Sequence, residues 1–204
     1  MFKKERFAAK IFRHLTWYFS QRENEIFLTF DDGPTPEFTP WVLSVLKEYN
    51  ARATFFCLGK KVEQNPGLFQ QIKDEGHAVG NHSYSHLSGW KTKNQTYYKD
   101  VYKASEFIYS KLFRPPYGEI KLRQIKQLKG KYHIVMWDVL SYDYHPKTSP
   151  QKCLQNVLGF AKPGSIIVFH DNEKAKVNLK YVLPEILKFY SRQGFVFKSI
   201  DTSF

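Results

Sequence analysis

Acids and imidazoles recur in this chain at the ends of short apolar runs, and those are the positions where chemistry is expected. Asp31-Asp32-Gly33-Pro34 sets two carboxylates side by side. In extended backbone consecutive side chains point to opposite sides, so one can bind a cation while the other faces a substrate water. The same four residues also suit a plain turn. His82 and His86, within Gly80-Asn81-His82-Ser83-Tyr84-Ser85-His86, stand at i and i+4, a spacing that puts both imidazoles on one face of a helical turn. Alone, such a pair is as readily an exposed helix face. Joined to a carboxylate it makes the three-ligand set of a catalytic zinc, with one position left for water.

Arg114-Pro115-Pro116-Tyr117-Gly118 cannot be helical, because Pro115 lacks a donor and biases Arg114 toward extended backbone. The resulting rigid loop can hold the guanidinium against a carboxylate and offer the Tyr117 amide to a developing oxyanion; a turn with an exposed Arg is the alternative. Ser165 to Phe169 reads as a buried strand that ends in His170, whose imidazole suits proton transfer near neutrality. Asp143 is the acid best placed to orient that ring and favour its protonated form. Trp137 closes a further apolar run, with Asp138 and Asp143 beyond it. His14, His77, His133 and His145 have no comparable partners and are read as structural.

These residues need a scaffold that gathers strand ends. Ile26 to Phe30, Ala53 to Leu58, His77 to Gly80, His133 to Trp137, Ser165 to Phe169 and Phe195 to Ile200 read as strands. Helical patterns lie between them, over Pro40 to Tyr49, Pro66 to Glu75, Asn94 to Ser110, Lys121 to Lys129, Pro150 to Phe160 and Leu179 to Arg192, with Gly76 and Gly194 as stops. Such alternation predicts an α/β fold of parallel strands with crossover helices, as a barrel or an open sheet. In either, the C-terminal strand ends form the active face.

Composition sets the outer bounds. At 204 residues and 42% hydrophobic, with 18 Phe, 13 Tyr and 4 Trp, the chain has apolar surface for one core, which excludes a disordered or collagen-like protein. Its formal charge of +12 favours anionic contacts, whether nucleic acid, an acidic polymer or a phospholipid surface. Two distant cysteines, Cys57 and Cys153, exclude a disulfide framework, and Cys57 reads as a buried inert thiol. No window is apolar for the length of a membrane span. Lys10 and Arg13 interrupt any signal-peptide core in Met1 to Ser20, so secretion is not supported and the compartment is left open. Phe7, Ile11, Leu15 and Tyr18 are near helical spacing, which predicts a basic helix on the domain's own surface, with weak contact to an anionic membrane as the alternative. The expected division is a basic segment over 1–24 and one domain over 25–204.

Taken together, Thr29-Phe30-Asp31-Asp32-Gly33-Pro34, His82 to His86, Arg114 to Gly118, Trp137 to Tyr144 and Val168-Phe169-His170-Asp171 resemble, in order and approximate spacing, the five motifs of the polysaccharide deacetylases, the NodB-homology family or carbohydrate esterase family 4. The likeness runs from about Ile26 to Ile200. It implies a distorted (β/α) barrel of about seven parallel strands and hydrolysis of N-acetyl groups from amino sugars. It implies that Asp32, His82 and His86 hold a divalent metal, zinc with cobalt or nickel as alternatives, and that Asp31 is the base on the metal-bound water. It further implies His170 as the acid for the leaving amine, Arg114 as the partner of Asp31 and Asp143 as the support of His170. Tyr117, through its amide, with Pro116, Tyr144 and Trp137, would line the substrate site. The fourth motif departs from the pattern, with Tyr144 where many members have Trp and Leu140 where an acid is common. The expected partner is an acetylated amino-sugar polymer or oligomer, peptidoglycan-like or chitin-like, with no nucleic acid and no assigned oligomeric state. Three other readings compete: an O-acetyl xylan-type esterase using the same site, a nucleic-acid or anionic-surface binder, and an inactive carbohydrate-binding relative. The complete set of ligands, base and acid disfavours the last.

Overall fold

The computed structural model describes residue 12 and residues 14–200. Its centre is β1 (Glu25–Asp31), whose residues alternate between two buried surroundings. Ile26, Leu28 and Phe30 pack toward the surrounding helices, whereas Phe27 meets Phe56, Leu112, Val135 and Ile166 inside the curl of the sheet. Thr29 and Asp31 share the face of Phe27 by the two-residue period of a strand. A polar Thr in that run is therefore aimed at whatever fills the top of the barrel.

Around β1 the strands are β2 (Ala53–Cys57), β3 (Ala78–Asn81), β4 (Leu112–Phe113), β5 (His133–Ile134), β6 (Val139–Leu140), β7 (Ile166–His170) and β8 (Val196–Phe197). They run in the order β5-β4-β3-β2-β1-β7-β6, every pairing parallel, with β8 added alongside β1 at the start of that strand. Seven parallel strands thus form a curled sheet, as the resemblance implies. The helices are α1 (Thr39–Glu48), α2 (Gly59–Gln64), α3 (Pro66–Asp74), α4 (Asn94–Ala104), α5 (Leu122–Leu128), α6 (Pro150–Leu158) and α7 (Lys176–Arg192). The crossover helix α7 buries Leu179, Val182, Leu183, Ile186, Leu187 and Tyr190, the three- and four-residue spacing of one helical face. At the start of α6, Ser149 Oγ accepts from the Lys152 amide and Pro150 occupies the first turn, so local chemistry fixes where that helix begins.

Four local readings are corrected. The strands β4 and β6 are two residues long, too short to show a period, and α2 was hidden in the run after β2. Helix α4 stops at Ala104 and not Ser110: the Val101 carbonyl accepts from Asn81 Nδ2 and Ser105 Oγ, side-chain bonds that compete with further helical turns. Residues 15–19 are not helical. Thr16 bridges Val135 and Tyr18 bridges Ser165, so this stretch spans between the β5 side and the β7 side of the sheet while Leu15 and Trp17 bury themselves. Phe7 and Ile11 lie outside the described residues. Among those described, no helix is long and apolar enough to cross a membrane.

Gly164 ties that N-terminal stretch to the sheet. Its amide donates to Glu25 O at 2.7 Å, its carbonyl accepts from the Phe19 amide at 2.8 Å, and its φ is +79°. A Cβ there would sit 1.8 Å from the Phe19 carbonyl oxygen, whereas one on Gly194, at φ +80°, would meet open space. Gly164→Ala is therefore expected to cost about 3 kcal/mol and Gly194→Ala about 1 kcal/mol, read as urea midpoints at constant slope. Equal losses would show that backbone strain alone, and not the Phe19 contact, matters at Gly164.

Candidate active site

Every strand-end residue singled out from sequence, with one exception, sits on the same pole. Asp31 and His170 are register partners on β1 and β7, which puts their backbones about 4.8 Å apart, the spacing of neighbouring strands. The exception is Asp138. It precedes β6 and accepts from the Ile166 amide and Ser165 Oγ at the start of β7, hence at the opposite pole. The unseen strand β6 lies between Asp138 and Asp143 and carries only the latter to the active face.

Arg114 is fully buried, and all three nitrogens of its head are bonded. Nη1 donates to Asp31 Oδ1 at 2.8 Å and Thr29 Oγ1 at 2.7 Å, Nη2 to the Met136 carbonyl and Nε to the Val135 carbonyl, with the Phe56 ring 4.1 Å beneath. Asp31 Oδ2 is left facing His82, 4.0 Å from its Nε2. The exposed-Arg alternative is thereby set aside.

Asp32, His82 and His86 bring one ligand atom each to within 4.8 Å of one another. The two His residues are not on a helical turn. Ser83 and His86 have φ of 66° and 61°, and this left-handed backbone makes a loop that still leaves the ring centroids 5.1 Å apart. A Ser83 Oγ that accepts from the His86 amide and an Asn81 Oδ1 that accepts from the Ser83 amide stabilise the loop. The His82 Nδ1–H donates to the Arg114 carbonyl at 2.8 Å, which directs the Nε2 lone pair toward Asp32. Burial, against the pull of Asp31, pushes the His82 imidazole down to about 4, so it is neutral at pH 7 as a ligand must be. Asp32 is held well below the usual carboxylate range: burial would raise it, but contact with His86 and the charge of His170 prevail.

The donor set passes a direct test for a cation. Asp32 Oδ1 is buried, lies 3.1 Å from His86 Nε2 and 3.7 Å from His82 Nε2, and has no hydrogen-bond partner. Two imidazoles, that of His82 neutral, and one ionised carboxylate around an unsatisfied oxygen match the N/O ligands of a divalent metal.

On the other flank His170 Nδ1 meets Asp143 Oδ1 at 2.8 Å, and its backbone amide donates to Asp143 Oδ2. Burial alone would lower His170, yet Asp143, with Asp32 and Asp31, lifts it to about 9. Tyr144 stands edge-on to the His170 ring at 4.7 Å, and Leu140 is buried on β6 opposite Val168 of β7. Tyr117, at φ 61° and 63% exposed, meets His86 edge-on at 4.5 Å after Pro116. Trp137 lies under Gly118 and its buried Nε1 is unpartnered. His77 is structural as read, its Nδ1 accepting from the Ala53 amide.

Three polar residues were not singled out for these tasks. Thr29 positions Arg114; its signal was the two-residue period that ends on Asp31. Asp171, credited only as the end of a motif, lies under the Asp31-Asp32-Gly33 turn, where a Cβ on Gly33 would collide with it. It accepts from Thr39 Oγ1, and burial raises it to about 8, so it is largely a neutral acid at pH 7. Asn172 Nδ2 donates to Asp32 Oδ2 at 2.8 Å while Asn172 Oδ1 accepts from the Ala175 amide. The Asp32 carboxylate is thus oriented with Oδ1 toward the imidazoles.

The comparisons with known proteins agree with this geometry. The polysaccharide deacetylase family model matches residues 20–133. A peptidoglycan-N-acetylglucosamine deacetylase of Bacillus cereus is 42% identical over 153 residues, 72% of this chain and 55% of that protein, so the chain spans about half of that relative. A second protein of the same name and organism is 34% identical over 198 residues and covered to 92%, as is this chain. A crystal structure of a peptidoglycan N-acetylglucosamine deacetylase in complex with 4-naphthalen-1-yl-N-oxidanyl-benzamide superposes with a TM-score of 0.87 at 32% identity, over 96% of this chain and 95% of that one.

Asn172→Ala is expected to weaken zinc binding about 10- to 100-fold without unfolding the protein, the usual loss when the partner of a ligand is removed. Competition against a chromophoric chelator measures it. Affinity equal to wild type would mean that Asp32 needs no such orientation.

Proposed function

The chain belongs to the polysaccharide deacetylase family, and from that premise we propose that it hydrolyses N-acetyl groups on the amino sugars of a peptidoglycan-like or chitin-like chain. One observation carries the reading: a carboxylate held by a buried Arg and an imidazole held by a buried Asp flank the Asp32, His82 and His86 donor set. A divalent cation on those three residues, zinc foremost with cobalt or nickel as alternatives, supplies a water of lowered pKa and a polarised amide carbonyl.

The chain's own groups do the rest. Arg114 occupies Asp31 Oδ1, so Oδ2 is the oxygen that accepts a proton from the attacking water. The guanidinium stays charged and its bond to Oδ1 fixes the carboxylate in direction. His170 is the acid. Asp143 takes its Nδ1–H, leaving Nε2–H for the departing nitrogen, and the elevated affinity for a proton keeps that proton in place near neutral pH. An amine departs only once protonated, so this acid is suited to N-acetyl substrates. In this reading the Tyr117 amide faces the developing oxyanion, and Pro116, Trp137 and Tyr144 wall the acyl and sugar groups.

The defining experiment is acetate release from N-acetylglucosamine oligomers, peptidoglycan and acetylated xylan by the zinc-loaded protein. Release from the amino-sugar substrates, abolished by dipicolinate and restored by zinc or cobalt, is expected; release from xylan alone would replace the reading with an O-acetyl esterase. Asp31→Asn is expected to retain zinc and to lose about 10²- to 10⁴-fold in kcat, the range of a general base. Turnover within a few-fold of wild type would remove Asp31 from that role.

Asp143 sets the sign of a pH effect. His170 must be protonated to act, and Asp143 raises its pKa. Asp143→Asn withdraws that charge, so the basic limb of kcat/KM should move to lower pH. A basic limb that stays in place would assign it to a group other than His170.

A further inference from the structure

Trp90 is a large apolar ring left in water, 60% exposed, on the loop that follows His86. Its exposure is not looseness. The ring's one polar atom, Nε1, donates to the Ile120 carbonyl at 3.2 Å. The Gly89 amide donates to Glu119 O, Gln124 Nε2 to Gly89 O at 3.0 Å and Lys121 Nζ to Thr92 O at 2.8 Å, while Ser88 Oγ bonds the Glu119 carboxylate. Five bonds therefore bind the loop over 88–92 to the loop over 119–121 and the first turn of α5, and mount the indole in one orientation.

The mounting also places it. The two stitched loops follow β3 and β4, so both stand at the pole that holds the donor set. Four residues of chain, at most about 14 Å, separate Trp90 from His86, and its bonded partner Ile120 lies three residues beyond Tyr117. Tyr117 is itself exposed and packed edge-on to His86. Tyr117 and Trp90 are thus two exposed rings on the strand-end loops that carry the donor set. A pyranose presents a face of axial C–H groups, which fits the electron-rich face of an aromatic ring, and a pre-oriented indole loses little entropy on contact.

We propose that Trp90 is a stacking subsite for a sugar ring beyond the one that is deacetylated, so that the protein favours a chain of β-linked amino sugars over a short fragment. The proposal rests on the deacetylase reading above and adds to it a residue that selects length. Binding energy gained this far from the reacting amide is realised in ground state and transition state alike, so it appears in KM.

The test is kcat/KM of the zinc-loaded protein on N-acetylglucosamine oligomers from dimer to hexamer. Wild type should rise with length. Trp90→Ala should lower the hexamer-to-dimer ratio about tenfold through KM, the scale of a Trp contact at an interface, and Trp90→Phe should restore most of it. A ratio that is the same in Trp90→Ala and wild type overturns the subsite while the deacetylase reading stands. If wild type releases no acetate from any oligomer, that reading fails, and titration calorimetry with the hexamer decides the subsite separately. Tighter binding by wild type than by Trp90→Ala supports it; equal or absent binding by both overturns it.

Discussion

A fully buried guanidinium is the constraint around which this site is organised. Removing a charge from water is costly unless its donors find partners, and Arg114 gives each of its three nitrogens at least one, through one carboxylate, one hydroxyl and two carbonyls over an aromatic face. The demand runs in both directions. Asp31 is fixed because Arg114 needs it, Thr29 must be polar within an apolar strand, and the chain at Val135 and Met136 must turn its carbonyls inward. Arg114 is tied through its backbone as well: its amide donates to Asn81 O and its carbonyl accepts from His82 Nδ1. A single residue therefore connects the Asp31 carboxylate to the tautomer of the His82 imidazole. Such coupling makes substitutions at Arg114 and Asp31 non-additive, since either one leaves the other charge buried alone.

Around that pair the backbone departs from ordinary strand and helix geometry. Asp32, Ser83, His86, Tyr117 and Tyr142 all have left-handed φ without being glycine, and all five stand in strand-end loops of the active pole. Each conformation costs free energy and persists because neighbouring bonds hold it. The gain is direction: a side chain that would continue the strand alternation is turned toward a shared centre. Asp32 leaves the plane of Asp31 in this way, so adjacent carboxylates take separate surroundings, one against a guanidinium and one against two imidazoles.

The sequence carried the chemistry more plainly than the architecture. Asp31, Asp32, His82, His86, Arg114, Asp143 and His170 were legible because each lies at the end of an apolar run and because their order matches one family. What escaped notice depends on contacts between distant segments. Strand β6 is a two-residue pairing with β7, invisible to any periodicity, and without it Asp138 looks like a strand-end acid when it closes the opposite pole. The His82 and His86 spacing suggests a helical turn, yet left-handed backbone at Ser83 and His86 delivers the same convergence. Asn172 is one more polar residue beyond a strand until its amide is seen on Asp32. The spacing of Leu15 and Tyr18 suggests a helix where pairing with Val135 and Ser165 imposes an extended path.

That extended path has a consequence for how the molecule assembles. Thr16 pairs with Val135, 119 positions away, and Tyr18 with Ser165, 147 positions away. Central strand β1 likewise needs β7 and β8, which come late in the chain. Contacts of this span impose loop-closure entropy before they return any stabilisation, so folding is governed by high contact order. During synthesis Phe27, Thr29 and Asp31 leave the ribosome long before Arg114 and His170 exist to meet them. The nascent chain must keep an apolar central strand and an unpaired acid waiting, and the catalytic pole can form only as one of the last events of folding.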